Sequence, residues 1–236
     1  MRILLRRWVF VTPLLLAACA ITPPQAHNEL IDLASDTATG ATQQSSASAD
    51  VATALAPLEA AVLTGTGNER LLQSGVFELG PADAVVTLTV FTESHCVYCN
   101  DFVRNMLPWL QSDFPDSLRV RIVPVVLAKY PNSTSAAQAL LCAGTTGSGS
   151  AMLRTLAERE NKHRSSVLEY AEELHIDPAS FSVCMDAEIT QAMLAVQKQV
   201  QQTAGITLVP TFVIENDVRV GLPLYADLRG WIESQL

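Results

Sequence analysis

Basic charge is scarce in this chain. Of 236 residues only 15 are lysine or arginine against 24 aspartate or glutamate, a formal charge of −9 at pH 7. That shortage argues against nucleic acid as a main ligand, because phosphate backbones are held by clustered cations. The 11 glycines and 12 prolines are too few for a collagen-like or wholly disordered chain. No second Cys-x-x-Cys and no His-x-x-x-His accompanies Cys96-Val97-Tyr98-Cys99, so the compact ligand spacing of a zinc site is missing. No Met-rich or His-rich segment and no internal repeat is evident either. What is present is a hydrophobic fraction of 49% with 17% charged residues, enough for one or two globular domains. The 5 cysteines are an odd number, which sets one apart from two possible pairs.

Arg2, Arg6 and Arg7 precede the apolar run Trp8 to Ala18. Its eleven residues fall short of the roughly 20 that span a bilayer and read as the core of a signal peptide. The run ends in Leu16-Ala17-Ala18-Cys19, which resembles the lipobox of bacterial lipoproteins. The resemblance implies removal of residues 1–18, diacylglycerol on the Cys19 thiol and acylation of the new amino terminus. Several chains on one residue anchor stably where a single chain is marginal. The alternative is ordinary secretion with a chance cysteine near the cleavage site. Ala20, where an aspartate would favour inner-membrane retention, points towards the outer membrane. Loss of the three arginines takes the formal charge from −9 to −12, so lipid and not polybasic contact would hold the protein.

Residues 19–50 are dominated by Ala, Thr, Ser, Gln and Asp, as in Ala41-Thr42-Gln43-Gln44-Ser45-Ser46, and read as a flexible tether. Residues 51–79 form an N-terminal extension, with a short helix expected over 51–63 and a short strand over 71–77. Gly80-Pro81 opens the main domain, residues 80–236. Val85-Val86-Thr87-Leu88-Thr89-Val90-Phe91 is apolar on both faces, as a buried central strand should be. A helix follows from near Cys96, with Phe102, Met106, Trp109 and Leu110 on one face, and Pro108 is expected to bend or end it. Leu118, Val120 and Ile122 alternate with Arg119 and Arg121, and Val125-Val126-Leu127 is expected to continue this second strand. Strand, helix, strand implies a right-handed parallel crossover. A helical region of about 133–203 breaks at 144–149 and at Asp177-Pro178, and Ile189, Met193, Val196 and Val200 stripe its last helix. Thr211-Phe212-Val213-Ile214 and Val218-Arg219-Val220 make a hairpin turning at Asn216-Asp217. Leu228, Trp231 and Ile232 face a closing helix inward. The expected fold is one α/β domain: β-α-β, a helical insertion, then β-β-α.

The pair Cys96 and Cys99 stands directly after the central strand and opens a helix. Thiols at i and i+3 there can close a small-ring disulfide. The orphan amides and positive dipole end of the helix would favour a Cys96 thiolate. A lowered pKa makes that sulfur both nucleophile and leaving group for thiol–disulfide exchange. Cys99, one turn in, would resolve the mixed disulfide.

Residues 79–236 resemble the DsbA-like thiol–disulfide oxidoreductases of the thioredoxin superfamily. The resemblance rests on Phe91-Thr92-Glu93-Ser94-His95-Cys96-Val97-Tyr98-Cys99, on the helical insertion, and on Gly205-Ile206-Thr207-Leu208-Val209-Pro210-Thr211-Phe212. It implies a thioredoxin-like fold, an enzyme without cofactor or metal, and a cis Pro210 facing the active-site disulfide. The Val209 backbone would pair with an extended substrate, beside Tyr98. Many relatives carry a buried carboxylate six residues before the first cysteine; this chain has Val90, leaving Glu93 and His95 as candidates for proton handling. With Cys19 lipidated and Cys96 paired with Cys99, Cys142 and Cys184 are the last two thiols. In an oxidising compartment they would form a structural disulfide, the alternative being two buried free cysteines. The partners implied are exported proteins with thiols or disulfides, and a DsbB-like or DsbD-like membrane protein that resets the pair. A different class of function stays open: a lipoprotein holding copper(I) on Cys96 and Cys99, since soft thiolates suit that ion. A third is a redox-inactive binding module on the same scaffold.

Overall fold

A computed structural model describes residues 51–236; the expected signal peptide, the lipidation site Cys19 and the tether lie outside the described residues. Seven strands build one sheet: β1 (Val62–Thr66), β2 (Glu69–Leu72), β3 (Phe77–Leu79), β4 (Val86–Thr92), β5 (Leu118–Pro124), β6 (Thr211–Ile214) and β7 (Asp217–Val220). Their order is β1-β2-β3-β5-β4-β6-β7, and only β4 and β5 run parallel. Alternation along the strands assigns their side chains to two cores. Leu88, Val90, Phe212 and Ile214 join a large core with Phe102, Leu140, Phe181 and Trp231. Phe91, Val123 and Val213 point the other way, into a smaller core with Leu58 and Val200. A strand buried on both sides has no use for polar alternation, which is why β4 reads as an almost unbroken apolar run.

The helices are α1 (Val97–Asp101), α2 (Leu107–Asp113), α3 (Ser133–Thr145), α4 (Gly149–Glu158), α5 (Arg164–Glu173), α6 (Pro178–Asp186), α7 (Glu188–Thr203) and α8 (Tyr225–Glu233). Five of them, α3 to α7, form the insertion between β5 and β6, as expected. Pro108 neither ends nor breaks the first helix. Phe102–Met106 is a π-helical segment joining α1 to α2, and Pro108 falls in the first turn of α2. There its missing N–H and the bulk of its ring are tolerated. Trp109, expected on the inner face, is 56% exposed, because the wider π turn rotates the residues after it.

Several boundaries differ from expectation for identifiable reasons. Helix gives way to a 3-10 turn at Ala56–Leu58, and the chain is already extended from Val62. The strand expected over 71–77 is two strands, because Gly75 turns the chain at φ +79 and donates its N–H to Leu72 O. A Cβ on Gly75 would lie 2.8 Å from Met193 Cβ, so packing on α7 and the backbone both demand glycine. β5 stops at Pro124. Beyond it the Val125 N–H still bonds Thr92 O, but Ser133 Oγ accepts from Leu127 N–H and donates to Val125 O, which makes a loop. On α7 the buried stripe is Thr190, Met193, Gln197 and Val200, while Ile189 is 55% exposed. The hairpin turns at Glu215-Asn216, one residue early, since Ile214 pairs with Asp217. A break at 159–163 separates α4 from α5 and was not expected.

Candidate active site

β4 ends at Thr92, and the loop Glu93-Ser94-His95 delivers the chain to Cys96, the N-cap of α1. Cys96 is extended (φ −77, ψ 117), as an N-cap residue is, and its sulfur accepts the Cys99 N–H at 3.4 Å. The loop is tied on both sides: Cys96 N–H donates to Glu93 O at 3.0 Å and Asn100 Nδ2 to Ser94 O at 2.9 Å. Cys96 is half-buried and Cys99 has 0% exposure; both are free thiols. The first sulfur therefore faces solvent and the second lies behind it.

The two thiols titrate in opposite directions. Cys96 is pushed down to about 6, chiefly by the hydrogen bond from the Cys99 thiol, then by the backbone N–H groups of Cys99 and Tyr98. Its own partial burial and the Glu93 carboxylate work against this. Cys99 is pushed far up, because donating to Cys96 requires its proton and because burial penalises its charged form. Such a pair holds one thiolate at neutral pH, on the accessible sulfur.

The segment before β6 closes the site from across the sheet. The Val209–Pro210 peptide bond is cis, and the Val209 carbonyl lies 3.5 Å from Cys96 Sγ, which donates to it when protonated. Gly221 N–H bonds Pro210 O, and Thr211 Oγ1 bonds Leu208 O, bracing the turn. Val97, Tyr98 and Leu208 are all more than 60% exposed. A cleft of about 430 Å³ runs beside the turn, lined by Thr207, Leu208, Thr211 and Val220. The arrangement thus joins Cys96, Cys99, Val209 and Pro210 in direct contact or succession.

Cys142 and Cys184 are joined by a disulfide that links α3 to α6 within the insertion, with Thr190 Oγ1 3.9 and 3.8 Å from the two sulfurs. Val90 is fully buried, flanked in the sheet by Ile122 and Phe212. A carboxylate there would have no partner. The acid near the thiols is instead Glu93, 2% exposed, which accepts the His95 backbone N–H at 2.7 Å and lies 2.8 Å from the His95 ring Nδ1. Sequence reasoning missed Lys162. It is 3% exposed in the unexpected break between α4 and α5, and its charge is drawn by that of Glu93. Only the polar run Asn161-Lys162-His163-Arg164 signalled a loop there. Among the described residues no three or more His, Cys, Asp or Glu side chains form a metal-binding group.

A search of curated proteins returned no match to the sequence. Solved structures of similar fold include alpha-DsbA2 of Wolbachia pipientis, described as a thiol-disulfide exchange protein. It has 14% identity and a TM-score of 0.68, the match covering 84% of this chain and 100% of that one. BdbD of Bacillus subtilis has 21% identity and a TM-score of 0.62, over 75% and 98% of the two chains. The catalytic domain of ScsC from Proteus mirabilis has 21% identity and a TM-score of 0.59, over 78% and 97%. At these identities the likeness is one of fold. The family model described as Thioredoxin matches residues 73–234, and with the cysteine pair at the mouth of α1 this places the chain in the thioredoxin family.

Proposed function

We propose that the protein is a thiol–disulfide oxidoreductase of the bacterial cell envelope that exchanges its Cys96–Cys99 disulfide with cysteines of exported proteins. The observation that carries this reading is the split between the two sulfurs. Cys96 is accessible and held near a pKa of about 6, while Cys99 is buried and keeps its proton. In the oxidising direction a substrate thiolate attacks the Cys96 sulfur of the disulfide, forming a mixed disulfide and expelling Cys99, which takes up a proton. A second substrate thiolate then attacks the substrate sulfur and expels the Cys96 thiolate. Two substrate thiols become a disulfide and the CxxC pair is left reduced. In the reverse direction the Cys96 thiolate attacks a substrate disulfide, and Cys99, losing its proton, resolves the adduct. A substrate strand would lie along the Val209 carbonyl, with the Tyr98 ring beside it, and Pro210 would hold that edge against the sulfurs.

The membrane arrangement is part of the same proposal. Residues 1–18 would be removed, Cys19 would bear lipid, and residues 19–50 would let the domain reach substrates from the outer membrane. No helix among the described residues is long and apolar enough to cross a membrane. A structure of similar fold is described as a periplasmic thioredoxin-like protein of Salmonella enterica serovar Typhimurium, which agrees with that compartment. A DsbB-like or DsbD-like membrane protein would reset the pair. The copper(I) reading uses the same two sulfurs.

The test is to follow insulin reduction and thiol oxidation of a dithiol peptide by the purified protein, beside a copper(I) titration. Turnover in either redox assay supports the proposal. Tight copper binding with no thiol exchange would replace it.

A further inference from the structure

Glu93 is an ionisable side chain buried to 2% exposure three residues before the nucleophile, and the reaction as derived gives it no task. Its two oxygens are both engaged by the residue next to Cys96: Oε2 accepts the His95 backbone N–H at 2.7 Å and Oε1 accepts Nδ1–H at 2.8 Å. An ionised carboxylate can only accept, so with Glu93 charged the bond sets the imidazole proton on Nδ1. The ring is clamped from its other side by Tyr130, stacked at 5.0 Å with the planes 13° apart, and Lys129 Nζ lies 4.8 Å from the Tyr130 ring centre. Lys162 completes the surroundings. It is buried, bonds the carbonyls of Arg159 and Glu160, and is attracted by the charge of Glu93.

We propose that Glu93 is a positioning residue that sets the redox poise of the Cys96–Cys99 pair, with His95 holding its charge away from the nucleophile. The inference rests on the thiol-exchange reading above. Its physical content is a balance. A buried carboxylate beside the thiolate disfavours it by like-charge repulsion, which the low local dielectric leaves poorly screened. The Nδ1–H bond and the Lys162 ammonium draw the negative charge of Glu93 towards themselves. The reduced pair, which bears the thiolate, is therefore destabilised by Glu93 and rescued in part by His95 and Lys162. The oxidised pair bears no charge and is indifferent to all three. A group that acts on one redox form alone moves the potential. A group that merely holds the loop together acts on both forms and does not.

The experiment is a glutathione equilibrium titration of the full-length protein, its Glu93→Gln and His95→Gln variants and the double variant, with the Cys96 thiolate titrated by ultraviolet absorbance. Glutamine keeps the size and hydrogen-bonding reach of Glu93 and removes its charge. Glu93→Gln is expected to shift the equilibrium about tenfold towards the reduced protein, about 30 mV less negative, and to lower the thiolate titration in step. His95→Gln is expected to shift both readouts the other way, and its effect should largely vanish in the double variant, since it acts through Glu93. If wild type does not equilibrate with glutathione at all, the exchange reading fails. If wild type equilibrates but both single variants keep its potential, this inference alone is overturned. Should Glu93→Gln not fold, His95→Gln decides the matter, because its ring, 19% exposed, is less buried than the Glu93 side chain at 1%.

Discussion

Two cysteine pairs lie in this domain in opposite settings. Cys96 and Cys99 stand three residues apart at the mouth of a helix, where Cys99 N–H bonds the half-buried Cys96 sulfur. Cys142 and Cys184 are 42 residues apart, bonded to each other, and sit between helices α3 and α6 with Cys142 1% exposed. The polar group beside the second pair is one hydroxyl, that of Thr190, which already donates to Cys184 O. Among the described residues no backbone N–H bonds either of those sulfurs. The comparison teaches that the element is not what makes a disulfide exchangeable. What matters is whether one sulfur, once released, meets donors able to hold its charge and solvent through which a partner can arrive. The first pair has both; in the second Cys142 is buried and Cys184, though half-buried like Cys96, has no backbone donor, which fits a pair that ties the insertion.

The sharpest way to break this comparison is to remove single sulfurs. Cys96→Ser is expected to abolish exchange with peptide dithiols altogether. Cys99→Ala should retain the attacking sulfur, though with a higher pKa for want of the Cys99 thiol donor, and accumulate mixed disulfides visible on non-reducing gels of envelope fractions. Equal trapping by Cys96→Ala and Cys99→Ala would mean that the roles are wrongly assigned.

Removing the other pair should cost stability and leave chemistry. A loop of 42 residues closed by a disulfide is worth about 4 kcal/mol on the chain-entropy model. The Cys142→Ser/Cys184→Ser variant should therefore lose about that much unfolding free energy, read by urea titration. The glutathione potential of its folded fraction should stay at the wild-type value. A changed potential would show that the two pairs are coupled.

A third effect is read by pH. In the reduced protein the rate of Cys96 alkylation should fall as pH drops through about 6, where an ordinary thiol would already have lost reactivity near 9. The sign of the linked stability follows. A thiol whose folded pKa is depressed stabilises the reduced form above its unfolded value of 9.0 and loses that contribution as pH falls towards about 6. Peptide mapping should find Cys99 unmodified across the same range, since its pKa lies on the other side of the ordinary value. Alkylation of Cys99 first would contradict the split on which the mechanism rests.

Much of this was legible in the sequence, and the exceptions share a cause. The run Val86 to Phe91 declared a strand buried on both faces, and Leu228, Trp231 and Ile232 declared the inner face of α8, because burial writes itself as periodicity. The CxxC motif placed the accessible cysteine because its setting is local: strand end, N-cap, first turn. What failed depended on tertiary partners. The outward turn of Ile189 came from which face of α7 meets the sheet, and two polar residues, Thr190 and Gln197, were buried in its place. The passage of the chain through Pro108 depended on a π turn that no propensity announces. Lys162 is remote in sequence from Glu93, and only the folded insertion brings their charges into range. Glu93 itself was visible as a nearby acid, but its two bonds to His95 were not.

The smallest effect expected is at Tyr98, between the two cysteines. Its backbone N–H already helps to hold the Cys96 thiolate, and any residue but proline would supply it. The ring is a different matter: the side chain is largely solvent-exposed, the residue being 65% accessible, and a phenol offers at most a hydrogen bond and no positive charge. Tyr98→His would place a titratable cation beside the sulfur without disturbing the backbone donors. The imidazolium should therefore stabilise the reduced pair and make the potential less negative. Water screens a charge at so exposed a position, so the shift should stay below the roughly tenfold, about 30 mV, assigned to the buried Glu93. A glutathione titration of Tyr98→His at pH 6 and pH 8 reads the point directly. The shift should be larger at pH 6, where more of an exposed histidine is protonated. A shift equal at both pH values would assign the effect to the shape of the ring and not to its charge.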